Sequence, residues 1–175
     1  MIRPAFAMQD QLRAAHAPAM ADPRCRYFTG PYASWKLDIE DSEWRSIQMV
    51  STTGSAVLGY FSATVDRVSY TVDSMSAVAY QPGHPVFGRD LAAFLLMLVE
   101  RRFARIGWLV ILGNPAEAMY DRAVARLGGR IVGTRRRINR MSDGTLAGDK
   151  LYEIIPEDIP AEGLAWLRRL AGVTS

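Results

Sequence analysis

Apolar and polar residues alternate through much of positions 46–80, and helical spacing takes over downstream. The runs 46–52, 57–65 and 68–80 are rich in Val, Thr, Tyr and Phe, residues that suit the pleated surface of a strand. Thr53-Gly54 and Asp66-Arg67 separate the runs, so they predict an antiparallel meander with short turns. Upstream, Met8, Leu12 and Ala15 form a weak apolar face that predicts a helix over 8–16, stopped by Pro18 and Pro23. A short strand is predicted over 34–39.

Past Pro82 the period changes. Leu91, Phe94, Leu95, Leu98 and Arg102 lie at helical spacing, which predicts a long amphipathic helix reaching about Ile106 and ended by Gly107. The apolar pentad 108–112 reads as a strand buried on both faces, as in the parallel part of a sheet. Strand, helix and strand then form a right-handed crossover. Asn114-Pro115-Ala116-Glu117 opens a helix over 115–127, with Asn as cap, Pro in the first turn and Glu completing the box, and Gly128-Gly129 ends it. The segments 131–141 and 150–155 predict a hairpin around Asp143-Gly144. Leu164, Leu167 and Leu170 predict a last short helix.

The chain's 175 residues suit one domain: an N-terminal helix and lead-in over 1–45, a core over 46–155, and a C-terminal loop and helix over 156–175. With 49% hydrophobic and 22% charged residues, the composition excludes disordered, collagen-like and coiled-coil classes. No apolar run approaches the roughly 20 residues of a membrane span, and 1–20 lacks a signal-peptide core, so a cytoplasmic protein with no membrane partner is expected. Cys25 is the single cysteine and His16 and His84 the two histidines, so neither a disulfide nor a metal centre is expected.

The net charge of +3 is too mild to predict nucleic-acid binding. Its distribution is uneven, with Arg130, Arg135, Arg136, Arg137 and Arg140 close together and Asp38, Glu40, Asp41 and Glu43 upstream. Three consecutive arginines in a strand put arginine on both faces, which a core strand cannot bear. That part of the hairpin is therefore expected in solvent, either as a charged edge that resists strand addition or as a contact for an acidic substrate, a partner chain or a nucleic-acid backbone.

The predicted order of elements, the run Tyr80-Gln81-Pro82 with Gly88 beyond it, Ile111-Leu112-Gly113-Asn114, and Arg126-Leu127-Gly128-Gly129-Arg130-Ile131-Val132-Gly133 together resemble the GNAT superfamily of acyl-CoA N-acyltransferases. The resemblance covers about 46–155. It implies an α+β (mixed α/β) fold: a central mixed sheet made of an antiparallel meander, a parallel crossover and a C-terminal hairpin, with helices on both faces. It also implies acetyl-CoA as cosubstrate, an amine acceptor of unknown identity, either a small molecule or a protein, and direct transfer in a ternary complex. The oligomeric state is left open, a homodimer being one arrangement.

The family's phosphate loop, Arg/Gln-x-x-Gly-x-Gly/Ala, falls on 85–90, where only Gly88 matches. Phe87, Gly88 and Arg89 are the implied phosphate contacts, and the strand amides around Ala79 and Tyr80 the implied pantetheine contacts. Asp90 either repels phosphates, offset by Arg89, or caps a helix. A family tyrosine that protonates the departing thiolate would stand at Val124; Tyr120 lies one turn earlier on the same face and serves either as that acid or as core. Asn114 is a helix cap, with pantetheine contact as the implied addition. Among Asp66, Asp73 and Glu43, Asp73 is the candidate general base, since a carboxylate inside a strand needs a reason. His84 reads as an exposed turn residue. The second class of function is a GNAT-like protein without catalysis, which uses the hairpin Arg130 to Arg140 to bind a partner. The segments 114–121, 128–133 and Asp143-Gly144 also look like those of GNAT-like proteins in phage genomes.

Overall fold

A computed structural model describes residues 1–25, 27, 37–141 and 143–173. Seven strands form one sheet in the order β1-β2-β3-β4-β5-β7-β6: β1 Ile2–Pro4, β2 Ser46–Thr53, β3 Ala56–Asp66, β4 Thr71–Ala79, β5 Arg105–Ile111, β6 Arg130–Arg140 and β7 Leu146–Ile154. The helices are α1 Gln9–Ala21, α2 Pro85–Glu100, α3 Glu117–Arg126 and α4 Ala161–Leu170. β4 and β5 are parallel and every other pairing is antiparallel. No helix among the described residues is long and apolar enough to cross a membrane.

Strand alternation sends the two faces of the sheet into two cores. Ile47, Met49, Phe61, Ala63, Val72 and Met75 point to one face, where α2 brings Phe94, Leu95 and Leu98, α3 Val124 and α4 Leu167. Val50, Tyr60, Val78 and Tyr80 point to the other, against Leu12 and Ala19 of α1. Helices thus cover both faces. Gly59 permits the closest approach: a Cβ there would strike the Phe87 ring and the Val78 carbonyl.

Several boundaries differ from the sequence reading, each for a local reason. α1 runs through Pro18 to Ala21, because Pro18 and Ala14 lie on the exposed side, where water can satisfy the freed carbonyl. Its buried face is Leu12, His16 and Ala19. β4 starts at Thr71 instead of 68: the Asp66 carboxylate accepts the Val68 amide at 2.8 Å and the Ser69 hydroxyl at 2.6 Å, which holds a turn there. The long helix stops at Glu100, not near Ile106, since Arg102 takes a left-handed φ of 56° and Phe103 turns into the core. Gly107 lies inside β5. Of the expected strand 34–39, residues 34–36 lie outside the described residues and 37–39 form no strand. β1, which the sequence reading does not contain, pairs with β2.

The arginine segment lies on the outer strand β6, where Arg130 to Arg140 are mostly exposed. Its alternation is broken by a bulge between Arg135 and Asn139, with Arg137 at a φ of 54°. Arg135 turns inward and grips the buried Asp149 with two bonds of 2.9 and 2.6 Å.

Candidate active site

The site begins with a defect in the one parallel pair. Val72 faces Ile106 and the next pair is Met75 with Trp108, so β4 spends three residues where β5 spends two. Pairing then ends. β4 stays with β3 as far as Ala79 and β5 stays with β7 as far as Ile111, so the two strands part like a V. The bulge ends the parallel contact at Met75 and Trp108, short of Val78 and Val110. A cleft of about 70 Å³ occupies the V, walled by Ser74 to Ala77 on β4, Trp108 to Ile111 on β5, and Tyr27, Asn114 and Tyr120.

Backbone alternation tells which β4 amides face this gap. Tyr80 donates its amide to Leu58 of β3 at 2.9 Å, so it is committed to the sheet and is not the pantetheine donor the resemblance implies. The amides of Ala77 and Ala79 point the opposite way, toward β5. The Tyr80 side chain is buried on the α1 side, with its oxygen 2.9 Å from His16 Nδ1. The Ala79 carbonyl accepts from the Cys25 thiol at 3.7 Å.

On the far wall, Gly113 takes a φ of 82° to turn the chain out of β5. The Asn114 Oδ1 accepts the Ala116 amide at 2.9 Å, while the Gly113 amide donates to Glu117 at 3.2 Å. These bonds cap an opening turn, so α3 begins at Glu117 and not at 115. Lys150 of β7 holds the first turns of α3, 2.6 Å from Glu117 and 3.1 Å from Asp121. Its donors keep the Glu117 carboxyl below the usual range. The Tyr152 hydroxyl, joined by Lys150, does the same to Asp121.

So anchored, α3 places Tyr120 against the cleft and Val124 in the core. The Tyr120 ring centre lies 6.1 Å from those of Trp108 and Tyr152, which stack on one another at 5.4 Å. Burial pushes the Tyr120 phenol up to about 12, so it keeps its proton at neutral pH.

Asp73 stands at the bulge but does not wall the cleft. It pairs with Arg105 at 2.6 Å and accepts the Thr71 hydroxyl at 2.9 Å, half-exposed on the sheet. The walls of the cleft among the described residues offer two hydroxyls, an amide, two phenols and an indole N–H, and no carboxylate or imidazole.

A second cavity, of about 310 Å³, lies between α2, α3 and α4 and shares Met75, Trp108 and Tyr120 with the cleft. Gly88, Leu91 and Leu95 of α2, Met119, Arg122 and Arg126 of α3, and Trp166 and Leu170 of α4 are in its walls.

The α2 N-terminus is occupied by the chain itself. His84 is its cap: Nδ1 accepts the Val86 amide at 3.2 Å and its carbonyl accepts that of Phe87 at 3.0 Å, while Pro85 has no amide to give. Phe87 packs on Phe61 at 5.0 Å as core, and Gly88 lies inside the helix, beside the cavity. Asp90 is buried. It accepts the Ser51 hydroxyl and the Met1 amino group, both at 2.8 Å, and draws the Arg89 guanidinium to 3.1 Å. So Asp90 neither caps α2 nor faces a ligand, and Arg89 is directed to it.

These features test the acyl-CoA expectation in two parts. The V of β4 and β5, with amides aimed across it and the buried Trp108 Nε1–H lacking an acceptor among the described residues, fits the amide-bearing thioester arm. The α2 N-terminus as folded does not fit a pyrophosphate. The sequence signals missed Trp108, Ser74, Ser76 and Tyr27, because a bulge two residues long leaves no mark in the hydrophobic pattern.

No protein-family model and no curated relative matches the sequence. Solved structures do match its fold. The N-acetyltransferase from Staphylococcus aureus Mu50 superposes with a TM-score of 0.66 at 15% identity, over 89% of this chain and 98% of that one. A ribosomal-protein-alanine N-acetyltransferase from Brucella melitensis gives 0.62 at 21% identity, over 89% and 99%. Mycobacterium smegmatis RimJ in complex with CoA-disulfide gives 0.57 at 19% identity; the match covers 73% of this chain and 61% of RimJ. The mixed seven-stranded sheet that opens at its single parallel pair, together with these likenesses, shows that the chain has the GNAT acetyltransferase fold.

Proposed function

We propose that the chain is an N-acyltransferase that moves an acyl group, acetyl in the simplest case, from an acyl-CoA thioester to an amine by direct attack. The observation that carries this reading is the V of β4 and β5 with Tyr120 in its wall. The fold is that of acetyltransferases, one of them solved with CoA-disulfide.

The thioester supplies, when bound, an activated carbonyl and a thiolate leaving group. The Ala77 and Ala79 amides, turned toward β5, bind the carbonyl-bearing arm as a strand would. Asn114, whose Oδ1 is already used by Ala116, has its amide NH₂ to offer. Tyr120 holds a proton on its phenol oxygen and gives it to the departing sulfur. A phenol is protonated throughout the neutral range, so the proton is available to the sulfur there. The acceptor's proton leaves to solvent, since Asp73 faces Arg105, and solvent returns a proton to the Tyr120 oxygen to complete the cycle.

The test combines a thermal melt with millimolar acetyl-CoA and thiol release measured against a panel of small amines and N-terminal peptides. A rise in melting temperature with amine-dependent thiol release is expected. Neither signal, in well-folded protein, overturns the reading. The second reading, a partner-binding protein without catalysis, is favoured by one observation, the self-capped α2 N-terminus. It requires that acetyl-CoA leave the melt unchanged.

A further inference from the structure

The parallel pair that closes the V also fixes the direction of a bound donor. An arm held by the Ala77 and Ala79 amides runs toward the C-terminal end of β4. The acyl carbons, on the other side of the thioester carbonyl, therefore head the opposite way, toward Met75 and Trp108 at the closed end of the V. Those two residues and Tyr120 also wall the second cavity, so cleft and cavity meet where the acyl group starts.

The cavity suits a hydrocarbon chain. Its volume is about 310 Å³. A water's share of liquid volume is about 30 Å³ and a methylene needs about as much, so there is room for on the order of ten such groups. Leu91 and Leu95 of α2, Met119 of α3, and Trp166 and Leu170 of α4 give it apolar walls. The exposed Arg122 and Arg126 add their alkyl stems while the guanidinium groups can stay in water, that of Arg126 over the Trp166 ring at 5.5 Å. Small residues leave the space: Gly88 and Ala92 in the α2 wall and Ala123 in the α3 wall. A Cβ at Gly88 would meet nothing within 4 Å. A void of this kind forfeits contacts for the side chains around it, and an apolar occupant restores them.

We propose that the cavity between α2, α3 and α4 is an acyl-chain pocket, and that the donor carries an unbranched apolar acyl group of medium length. The inference rests on the acyltransferase reading and names the donor class of that same site. The chemistry of transfer is unchanged: the amine nitrogen bonds the carbonyl carbon, the carbonyl–sulfur bond breaks and the thiol leaves, while the chain lies in the pocket. Acetyl, with its single methyl, reaches only the junction at Met75 and Trp108 and leaves the rest of the cavity unfilled.

The experiment is calorimetric titration of the full chain with acetyl-, butanoyl-, hexanoyl- and octanoyl-CoA, followed by thiol release with a panel of amines. Each buried methylene is expected to tighten binding about three- to fourfold, so hexanoyl-CoA is expected to bind on the order of 10- to 100-fold more tightly than acetyl-CoA. Ala123→Leu and, from the other helix, Ala92→Leu fill the cavity. Each is expected to keep acetyl-CoA affinity within about twofold and to lose most of the gain with chain length, with a melting temperature no lower than that of the wild type. The wild-type series needs neither variant to fold. A flat series in the wild type would overturn the pocket, and an acetyl transfer activity measured alongside it would leave the acyltransferase reading standing. Folded variants that bind hexanoyl-CoA like the wild type, or that lose both thioesters equally, would also overturn the pocket. Affinity that rises with chain length and is abolished by the variants, but with no amine acylated, would instead overturn the acyltransferase reading and leave the pocket standing.

Discussion

Tyr152 donates its hydroxyl to Asp121 across 2.8 Å, and that bond ties β7 to the helix carrying Tyr120. The same ring stacks on Trp108, whose strand forms one wall of the cleft. Two tyrosines with rings 6.1 Å apart therefore have separable tasks: the oxygen of one holds the helix, and that of the other makes no hydrogen bond with the described residues.

Paired phenylalanine variants separate those tasks. Tyr152→Phe is expected to lower unfolding stability by about 1 kcal/mol in urea, through loss of one hydrogen bond to a carboxylate. Tyr120→Phe is expected to keep stability within about 0.5 kcal/mol and to lose on the order of 10²- to 10⁴-fold in turnover. A Tyr120→Phe enzyme with wild-type turnover would leave Tyr120 as packing alone.

Asp73 and Arg105 form an ion pair in which both side chains are about half exposed. Such pairs contribute roughly 0 to 1 kcal/mol. Asp73→Asn is accordingly expected to melt close to the wild type and to retain its rate and its pH profile. Loss of an alkaline-rising limb in that profile would return Asp73 to the role of base.

Arg135 and Asp149 make a more expensive pair to break. Burial tends to raise the Asp149 pKa, but the Arg135 fork and Asn139 outweigh it and hold the carboxyl low. A lowered folded-state pKa gives stability that is present above the unfolded value, about 4, and is lost as pH falls through the folded one. Arg135→Gln is expected to cost about 1 to 3 kcal/mol at pH 7, because the buried carboxylate loses its charged partner. Adding Asp149→Asn should recover part of that cost. A penalty for Arg135→Gln that stayed constant down to pH 3 would show that the carboxylate is not its source.

At the alkaline end the sign reverses. Burial raises the phenols of Tyr60, Tyr80, Tyr120 and Tyr152, so the folded state keeps protons that the unfolded chain releases near pH 10. Stability is therefore full below about pH 10 and falls as pH rises toward 12 and beyond. Tyrosinate absorbance near 295 nm is expected to rise together with unfolding by circular dichroism. A full rise near pH 10 in a still-folded protein would contradict this.

The periodicity of the chain determined most of its architecture. Period-two runs marked β2 and β3, a helical stripe marked α2, an apolar pentad marked β5, and Gly128-Gly129 marked the end of α3, because each of these signals reflects burial by an element's immediate neighbours. Turn chemistry placed Asn114 beside the cleft for the same reason. What the sequence did not determine is where pairing stops and which way charged groups turn. The break after Met75 depends on a bulge whose residues, Asp73 and Ser74, are ordinary strand-edge residues in isolation. Asp90 and Arg89 sit in the helix turn where the resemblance implied phosphate contacts, but the Ser51 hydroxyl and the Met1 amino group, both distant in sequence, draw the carboxylate inward, and it takes Arg89 with it. Arg135 looked like its two neighbours until β7 supplied Asp149 beneath it. A side chain's partner across the sheet, unlike its period along the chain, exists only once the strands are in register, so tertiary structure alone decided which charges were paired with which.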